Sequence, residues 1–167
     1  MTMMSAIPAP FDAHRETVRP EWIDYNDHMN VAFYVLVFDH GTDAFFEWLG
    51  MGETYRQRTN CSSMALETHI TYQGEVRLGD PLRVTTQLVG FDVKRIHFFH
   101  RMYHAEKGYL AATYECLSIH VDLGQRRSAP FPADLQRRLS DVAAAHACLP
   151  RPAELGRSVG LGRGRPA

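Results

Sequence analysis

Apolar and polar positions follow several patterns along this chain, and the first pattern predicts a long helix over residues 30–49. Every residue from Val31 to Phe38 is apolar or aromatic, so this half of the helix is expected to be surrounded on most sides. Acidic residues then recur every fourth position, at Asp39, Asp43 and Glu47, which predicts one solvated face. A helix that is buried at its start and half exposed at its end favours a sheet curling around it.

Both ends of this helix carry recognisable signals. Asn30 is a suitable N-cap, because its side-chain oxygen can accept a hydrogen bond from the free amides of the first turn. Gly50 and Gly52 are expected to end the helix, since glycine adopts the left-handed conformation that terminates helices at little cost.

The remaining patterns predict strands and one further helix. Four strand-like runs follow the first helix, at residues 64–76, 81–91, 94–104 and 109–121. Apolar and polar residues alternate from Leu82 to Leu88, as in a strand with one buried face. Because the separators are short, we expect antiparallel neighbours joined by hairpins. Residues 12–23 predict a short first strand with an edge or bulge at Pro20, residues 56–63 a loop, and residues 132–149 an amphipathic helix.

These elements predict a single α+β domain spanning residues 1–167, with a core at about 12–147 and a C-terminal tail at 148–167, whose glycine- and arginine-rich end is expected to be loose. One helix cannot cover both faces of a five-stranded sheet. The far face of the sheet is therefore expected to bind a second subunit, giving a homodimer or a tetramer built from dimers.

Composition narrows the functional classes. The formal net charge of −1 gives no general attraction to nucleic acid, and no apolar run approaches the roughly 20 residues of a membrane span. The first ten residues lack the charged-then-apolar order of a signal peptide. Three cysteines without metal-like spacing indicate reduced thiols, so a cytoplasmic location is expected.

The segment DYNDHMN, residues 24–30, carries more polar groups than a turn requires. A helix start offers unpaired amides and the positive end of the helix dipole, which can stabilise an oxyanion. Asp24, just upstream, can attack a carbonyl carbon or take a proton from water. The same residues also make a good turn and a good cap, so the pattern alone leaves a purely structural role open.

This segment, leading into an aromatic-rich helix, resembles the hotdog-fold acyl-CoA thioesterases. Residues 64–104, 118–123 and 144–160 are similar to the betainyl-CoA thioesterases of carnitine catabolism, in the 4-hydroxybenzoyl-CoA thioesterase-like superfamily. The resemblance covers about residues 18–160. It implies a hotdog fold, in which a five-stranded antiparallel sheet wraps one central helix, and a thioester hydrolase that needs no metal or redox cofactor and meets coenzyme A only as part of its acyl-CoA substrate.

The resemblance also implies roles for the motif residues. Asp24 acts as nucleophile or as base toward water, His28 orients water or carries a proton, and Asn26 fixes the carboxylate or the thioester carbonyl. At the start of the helix, the amides near Asn30, Val31 and Ala32 are expected to bind the oxyanion.

The motif departs from the family in one residue, because Asp27 stands where the family usually has glycine. Aspartate tolerates a positive φ better than most residues, at a modest cost.

Two further groups are candidates for substrate contact. Glu67 and His69 lie two apart on a predicted strand, so they share a face. They are interpreted as a base and its orienting partner contributed across the dimer, or else as a polar pair on the outer face of the sheet, with Met64 of the same strand facing the other way. If the acyl group is betainyl, its trimethylammonium would favour aromatic faces, with Tyr34 among those available.

The sequence thus predicts an acyl-CoA thioesterase for a small acyl group, with betainyl-CoA as the most specific hypothesis. Two alternatives stay open at this point. One is an enoyl-CoA hydratase with the same fold, and the other is a non-catalytic acyl-CoA binding protein.

Overall fold

The computed structural model describes residues 6–161, which form one α+β structure. Its strands are β1 (Phe11–Thr17), β2 (Cys61–Tyr72), β3 (Pro81–Phe91), β4 (Arg95–His104), β5 (Leu110–Asp122) and the short β6 (Arg127–Ser128). Its helices are α1 (Val31–Leu49), α2 (Glu53–Thr59) and α3 (Ala133–His146), and a 3-10 turn covers Pro20–Trp22.

The five long strands form an antiparallel sheet in the order β1-β3-β4-β5-β2, with β6 paired to β5. The hairpins β3–β4 and β4–β5 are confirmed. The predicted hairpin between β2 and β3 is wrong, because β2 pairs with β5 at one edge while β3 lies beside β1 at the other end. The link at residues 73–80 therefore crosses the sheet.

Helix α1 lies in the curl of this sheet, as the apolar pattern predicts. Its buried residues recur every three or four positions, at Tyr34, Val37, Phe38, Gly41, Phe45 and Leu49. Phe38 stacks on Tyr114 of β5 with ring centroids 5.2 Å apart, so the even-numbered residues of that part of β5 face the helix. Gly50, at a φ of 87°, ends the helix as predicted.

The first half of α1 is less enclosed than its composition suggests. Val31 and Val35 have exposed fractions of 57% and 41%. They share one face of the helix, four residues apart, and the sheet does not cover that face. The expectation that this half is surrounded on most sides is wrong for the single chain.

Several local elements differ from the sequence predictions. Residues 56–63, predicted as a loop, contain the end of α2 and the start of β2. Asn60 ends α2 in the left-handed conformation at a φ of 54°. The first strand ends at Thr17 rather than Ile23, because Pro20 begins the 3-10 turn.

The segment after α3 crosses the outer face of the sheet and is packed against it. Gln87 Nε2 donates a long hydrogen bond of 3.5 Å to the Pro150 carbonyl, and the Gly156 amide donates to Glu115 Oε2 at 2.7 Å. Phe99 is paired in register with both Gln87 and Glu115, so this segment passes over it, and Phe99 is only 1% exposed. Residues 150–156 of the predicted tail are thus packed on the sheet, while residues 162–167, at the end that was expected to be loose, lie outside the described residues.

This packing also changes the expected site of dimerisation. The outer face was predicted to bind a second subunit, yet the chain's own residues 150–156 occupy part of that face.

Among residues 6–161, no helix combines the length and apolar character needed to cross a membrane. Cys61, Cys116 and Cys148 form no disulfide with one another.

Candidate active site

The polar motif forms a tight turn directly before α1. The Asp24 amide donates to the His28 carbonyl and the Asp27 amide donates to the Asp24 carbonyl, both at 3.1 Å. Asp27 adopts a φ of 62°, which explains why a glycine suits this position and why aspartate can replace it. Some of the polar residues in the motif therefore serve to form this turn.

The Asp24 side chain is oriented by this turn. Its Oδ1 accepts a hydrogen bond from the Asn26 amide at 2.8 Å, while the Asn26 side chain is exposed. The contact that fixes the carboxylate is thus made by the Asn26 main chain rather than by the side-chain amide that the sequence suggested. Within residues 6–161, Asp24 Oδ2 makes no hydrogen bond, and the residue is only partly exposed.

The start of α1 leaves one main-chain donor open. The Asn30 amide donates to the Trp22 carbonyl at 2.9 Å, and the Ala32 amide donates to Asn30 Oδ1 at 3.0 Å. The Phe33 amide donates to the Asn30 carbonyl at 3.0 Å. The prediction that the Asn30 and Ala32 amides bind the oxyanion is therefore wrong, because protein acceptors already occupy both. The Val31 amide has no acceptor among the described residues, so it is the donor that remains for a ligand.

His28 lies against the loop that connects β2 to β3. Its Nε2 is 4.0 Å from Glu75 Oε2, and Glu75 Oε1 accepts from Arg77 at 2.7 Å. The Arg77 guanidinium lowers the pKa of Glu75, which keeps this carboxylate charged beside the imidazole. Sequence reasoning missed Glu75, because the contact depends on how the crossing loop 73–80 returns to the motif.

That loop is fixed to the motif by several contacts. The Met29 amide donates to the Val76 carbonyl at 2.8 Å, and the Tyr34 hydroxyl donates to the Gly74 carbonyl at 3.3 Å. Burial raises the pKa of Tyr34 to about 12, so its hydroxyl stays protonated as a donor. Tyr34 also meets Tyr72 edge-on, with centroids 5.3 Å apart. Sequence reasoning missed Tyr72, which is 49% exposed beside the start of α1.

Glu67 and His69 lie elsewhere in the same chain. Ile70 and Tyr72 pair with the inward-facing residues of β5, so Glu67 and His69 point to the outer face of the sheet. There they line a cavity of about 390 Å³ together with His97, Glu115 and residues 156–158. The structure does not bring them together with Asp24 in one protomer, and a role across a dimer stays a prediction.

The expectation that Met64 faces away from Glu67 is wrong, because the strand is bulged. The pairing with β5 shifts between Ala65 and Glu67, where one extra residue enters β2. Met64 pairs with the outward-facing Ile119 and therefore shares the face of Glu67.

A larger cavity of about 560 Å³ lies between the second half of α1, α2, β2 and β5. Asp39 and Asp43 line it beside the rings of Phe46 and Tyr114. Burial, followed by the neighbouring Asp39, raises the pKa of Asp43. Asp39 is eight residues beyond Val31, which places it about 12 Å along the helix axis from the open amide.

Comparison with known proteins identifies the family. Residues 18–139 match the family model described as the Thioesterase-like superfamily. The chain is 41% identical over 144 residues to a betainyl-CoA thioesterase from Pseudomonas aeruginosa, covering 86% of this chain and 91% of that protein. It is 39% identical over 146 residues to the L-carnitine dehydrogenase/betainyl-CoA thioesterase of Rhizobium meliloti, of which it spans 29%.

Solved structures agree with this assignment. A Staphylococcus aureus protein solved in complex with CoA superposes with a TM-score of 0.86 at 30% identity, covering 94% of this chain and 98% of that one. A candidate thioesterase from Pseudomonas putida gives 0.80 at 34% identity, covering 95% and 100%. The predicted hotdog fold is confirmed. The chain belongs to the thioesterase-like superfamily and is an acyl-CoA thioester hydrolase.

Proposed function

We propose that Asp24 activates the water that hydrolyses the thioester, and that the Val31 amide binds the oxyanion. The observation that carries this proposal is the open Val31 amide at the start of α1, directly after the turn that orients the Asp24 carboxylate. The Asn26 amide holds Asp24 Oδ1 at 2.8 Å, which leaves Oδ2 available to take a proton. The positive end of the α1 dipole adds to the stabilisation of negative charge there.

The proposed reaction proceeds through one tetrahedral intermediate. The water oxygen bonds to the thioester carbonyl carbon while its proton passes to Asp24, and the carbonyl oxygen becomes an oxyanion at the Val31 amide. Collapse of the intermediate breaks the carbon–sulfur bond and expels the CoA thiolate. The proton on Asp24 passes to the thiolate, and the remaining proton of the product acid leaves to solvent through His28, which lies against Glu75.

We propose betainyl-CoA as the substrate, yielding glycine betaine and CoA. The support is the 41% identity to the Pseudomonas aeruginosa enzyme over nearly its full length. The trimethylammonium nitrogen of a betainyl group lies only two bonds from the carbonyl carbon. It therefore cannot reach the acidic cavity at Asp39, about 12 Å along the same helix, while the oxyanion stays at Val31.

The cationic group needs an aromatic face close to Val31. Trp22 is buried, stacks on Phe33, and has the Arg19 guanidinium 5.0 Å over its ring. Tyr72 is half exposed next to Tyr34, so we propose its ring as the surface for the trimethylammonium.

We propose that the protein acts as a homodimer joined along β2. This strand is the edge of the sheet, and its outer side carries unpaired main-chain groups. Met64 and Leu66 on β2 are 47% and 55% exposed, and Val31 and Val35 on α1 add further exposed apolar surface. Pairing two β2 strands would cover these side chains and would place Glu67 and His69 near the partner. A tetramer of such dimers and a cytoplasmic location are parts of the same proposal.

A thiol-release assay over betainyl-, short-chain, aromatic and long-chain CoA esters tests the reaction and the substrate together. We expect the highest kcat/KM with betainyl-CoA, and a loss of about 100- to 10,000-fold in Asp24→Asn, because the amide cannot act as a base. Asp27→Asn is the matched control and should retain activity, since asparagine also tolerates a positive φ.

The other outcomes of this assay are equally informative. Wild-type activity in Asp24→Asn would refute the role of Asp24. Tight binding of CoA esters without thiol release would instead support a binding protein, and hydration of an enoyl-CoA without thiol release would support a hydratase.

A further inference from the structure

Three side chains meet where β1 faces α1, and none of them belongs to the thioesterase site. His14 Nε2 lies 3.2 Å from Glu16 Oε2, and His40 Nδ1 lies 2.9 Å from the same oxygen. The three atoms all lie within 4.8 Å of one another. Two imidazoles and one carboxylate are a ligand set that zinc and related divalent ions prefer.

The fold places these side chains on facing surfaces. His14 and Glu16 are two apart on β1 and pair with Val84 and Leu82, both of which are buried, so they point toward α1. Gly41 allows the helix to approach closely, because a Cβ there would lie 3.0 Å from Val84 Cγ1. His40, next to this glycine, is thereby brought to the carboxylate.

The carboxylate is held in place from its other side. Arg19 donates to Glu16 Oε1 at 3.1 Å, which leaves Oε2 directed at the two imidazoles. The side chains of Glu16, His14 and His40 are 9%, 18% and 35% exposed. The cluster is therefore mostly enclosed, with an opening to solvent at His40.

We propose that His14 Nε2, His40 Nδ1 and Glu16 Oε2 bind a divalent transition-metal ion of the zinc class. A tetrahedral ion with bonds of 2.0–2.1 Å keeps its ligand atoms about 3.3 Å apart, close to the 3.2 Å and 2.9 Å that separate Glu16 Oε2 from the two imidazole nitrogens. The two nitrogens lie within 4.8 Å of each other, so small side-chain movements let all three atoms contact one ion. The fourth position lies toward the opening at His40 and takes water.

The role of this ion is structural. Strand β1 is the edge of the sheet opposite β2, the proposed dimer edge, and His40 lies about 9 Å along the α1 axis from Tyr34, so the cluster is separate from both. An ion held by β1 and α1 together binds the folded chain and not the unfolded one, and it therefore stabilises the fold.

Thermal unfolding and Co²⁺ spectroscopy of tag-free, chelator-treated protein test the site. We expect Zn²⁺ to raise the Tm by about 5 °C or more. We expect one equivalent of Co²⁺ to produce the intense visible bands of a four-coordinate ion. His40→Ala and Glu16→Gln should lose both effects. His97→Ala is the matched control, because it removes another imidazole that contacts a glutamate at 2.8 Å, on the outer face of the sheet.

The proposal is overturned if wild-type protein shows neither the Tm shift nor the bands, or if affinity for Zn²⁺ is weaker than about 10 µM. It is also overturned if Glu16→Gln, which preserves the shape of the side chain, binds as tightly as wild type. Circular dichroism of each variant separates loss of the ion from loss of the fold. Thiol release is measured separately, so failure here leaves the thioesterase proposal intact.

Discussion

The side-chain oxygen of Asn30 accepts the Ala32 amide at 3.0 Å, and this bond caps α1 while leaving the preceding Val31 amide free. The Ala32 amide thus takes part in capping the helix, while the adjacent Val31 amide is the donor proposed for catalysis. The two roles can be tested independently, because they belong to different amides.

Removing the cap should weaken the fold. We expect Asn30→Ala to lower the free energy of unfolding by about 0.5–2 kcal/mol, since the Ala32 amide loses its acceptor. Urea titration followed by circular dichroism measures the change. Asn30→Asp retains an oxygen acceptor and should remain within a few tenths of a kcal/mol of wild type. Equal stability of Asn30→Ala and wild type would show that the cap contributes nothing.

Removing the free amide should impair catalysis and spare the fold. Val31 is the first residue of α1, where proline is well tolerated, and Asn30 already has the extended conformation that a following proline requires. We expect Val31→Pro to reduce kcat about 100- to 1,000-fold in the thiol-release assay. Val31→Ala keeps the amide and controls for the lost side chain. A Val31→Pro enzyme with the kcat of Val31→Ala would exclude this amide as the oxyanion donor.

The buried His100 should make stability depend on pH. Its ring is 0% exposed and lies between the hydroxyls of Thr86 and Thr42, at 2.8 Å and 2.9 Å. Burial lowers the pKa of His100 to about 3. The unfolded chain therefore binds a proton between pH 6.5 and this value while the folded chain does not, and stability falls as the pH falls through that window.

The size of this effect can be isolated by substitution. Between pH 7 and pH 5.5 we expect wild type to lose about 1 kcal/mol of unfolding free energy more than His100→Gln does. Urea titrations at fixed protein concentration provide the comparison, with His97→Gln as the control at a half-exposed histidine. Equal losses in wild type and His100→Gln would contradict a neutral, buried ring.

A charge on the β2 edge should prevent dimerisation. Leu66 is 55% exposed on β2, and a lysine there would place an unpaired charge in the proposed interface. We expect Leu66→Lys to shift the protein from dimer to monomer in analytical ultracentrifugation. Val93→Lys changes an equally exposed apolar residue in the β3–β4 turn and should stay dimeric. A dimeric Leu66→Lys would place the interface elsewhere.

The features that depend on short-range sequence could be predicted well. Asn30, Gly50 and the spacing of apolar residues between them define α1, because caps and helical periodicity are local properties. The same holds for the β3–β4 and β4–β5 hairpins, whose short connections allow few alternatives. The positive φ of Asp27 followed from the family resemblance, since a glycine at that position indicates the conformation.

The features that depend on distant pairing could not be predicted. The bulge between Ala65 and Glu67 leaves no mark in the alternation of β2, yet it reverses the face of Met64. The contact of His28 with Glu75 requires the crossing loop, whose path follows from β2 pairing with β5. The His14–Glu16–His40 cluster likewise joins a strand and a helix that are separate in the sequence.

The path of residues 150–156 has a practical consequence for shortening the chain. A version cut after α3 would lose the Pro150 carbonyl that accepts from Gln87 and the Gly156 amide that donates to Glu115. It would also expose the ring of Phe99 on the outer face of the sheet. The folded domain therefore extends beyond the end of α3. A minimal version of this enzyme should extend at least to Gly156, and one that ends at His146 should be prone to self-association through the newly bared patch.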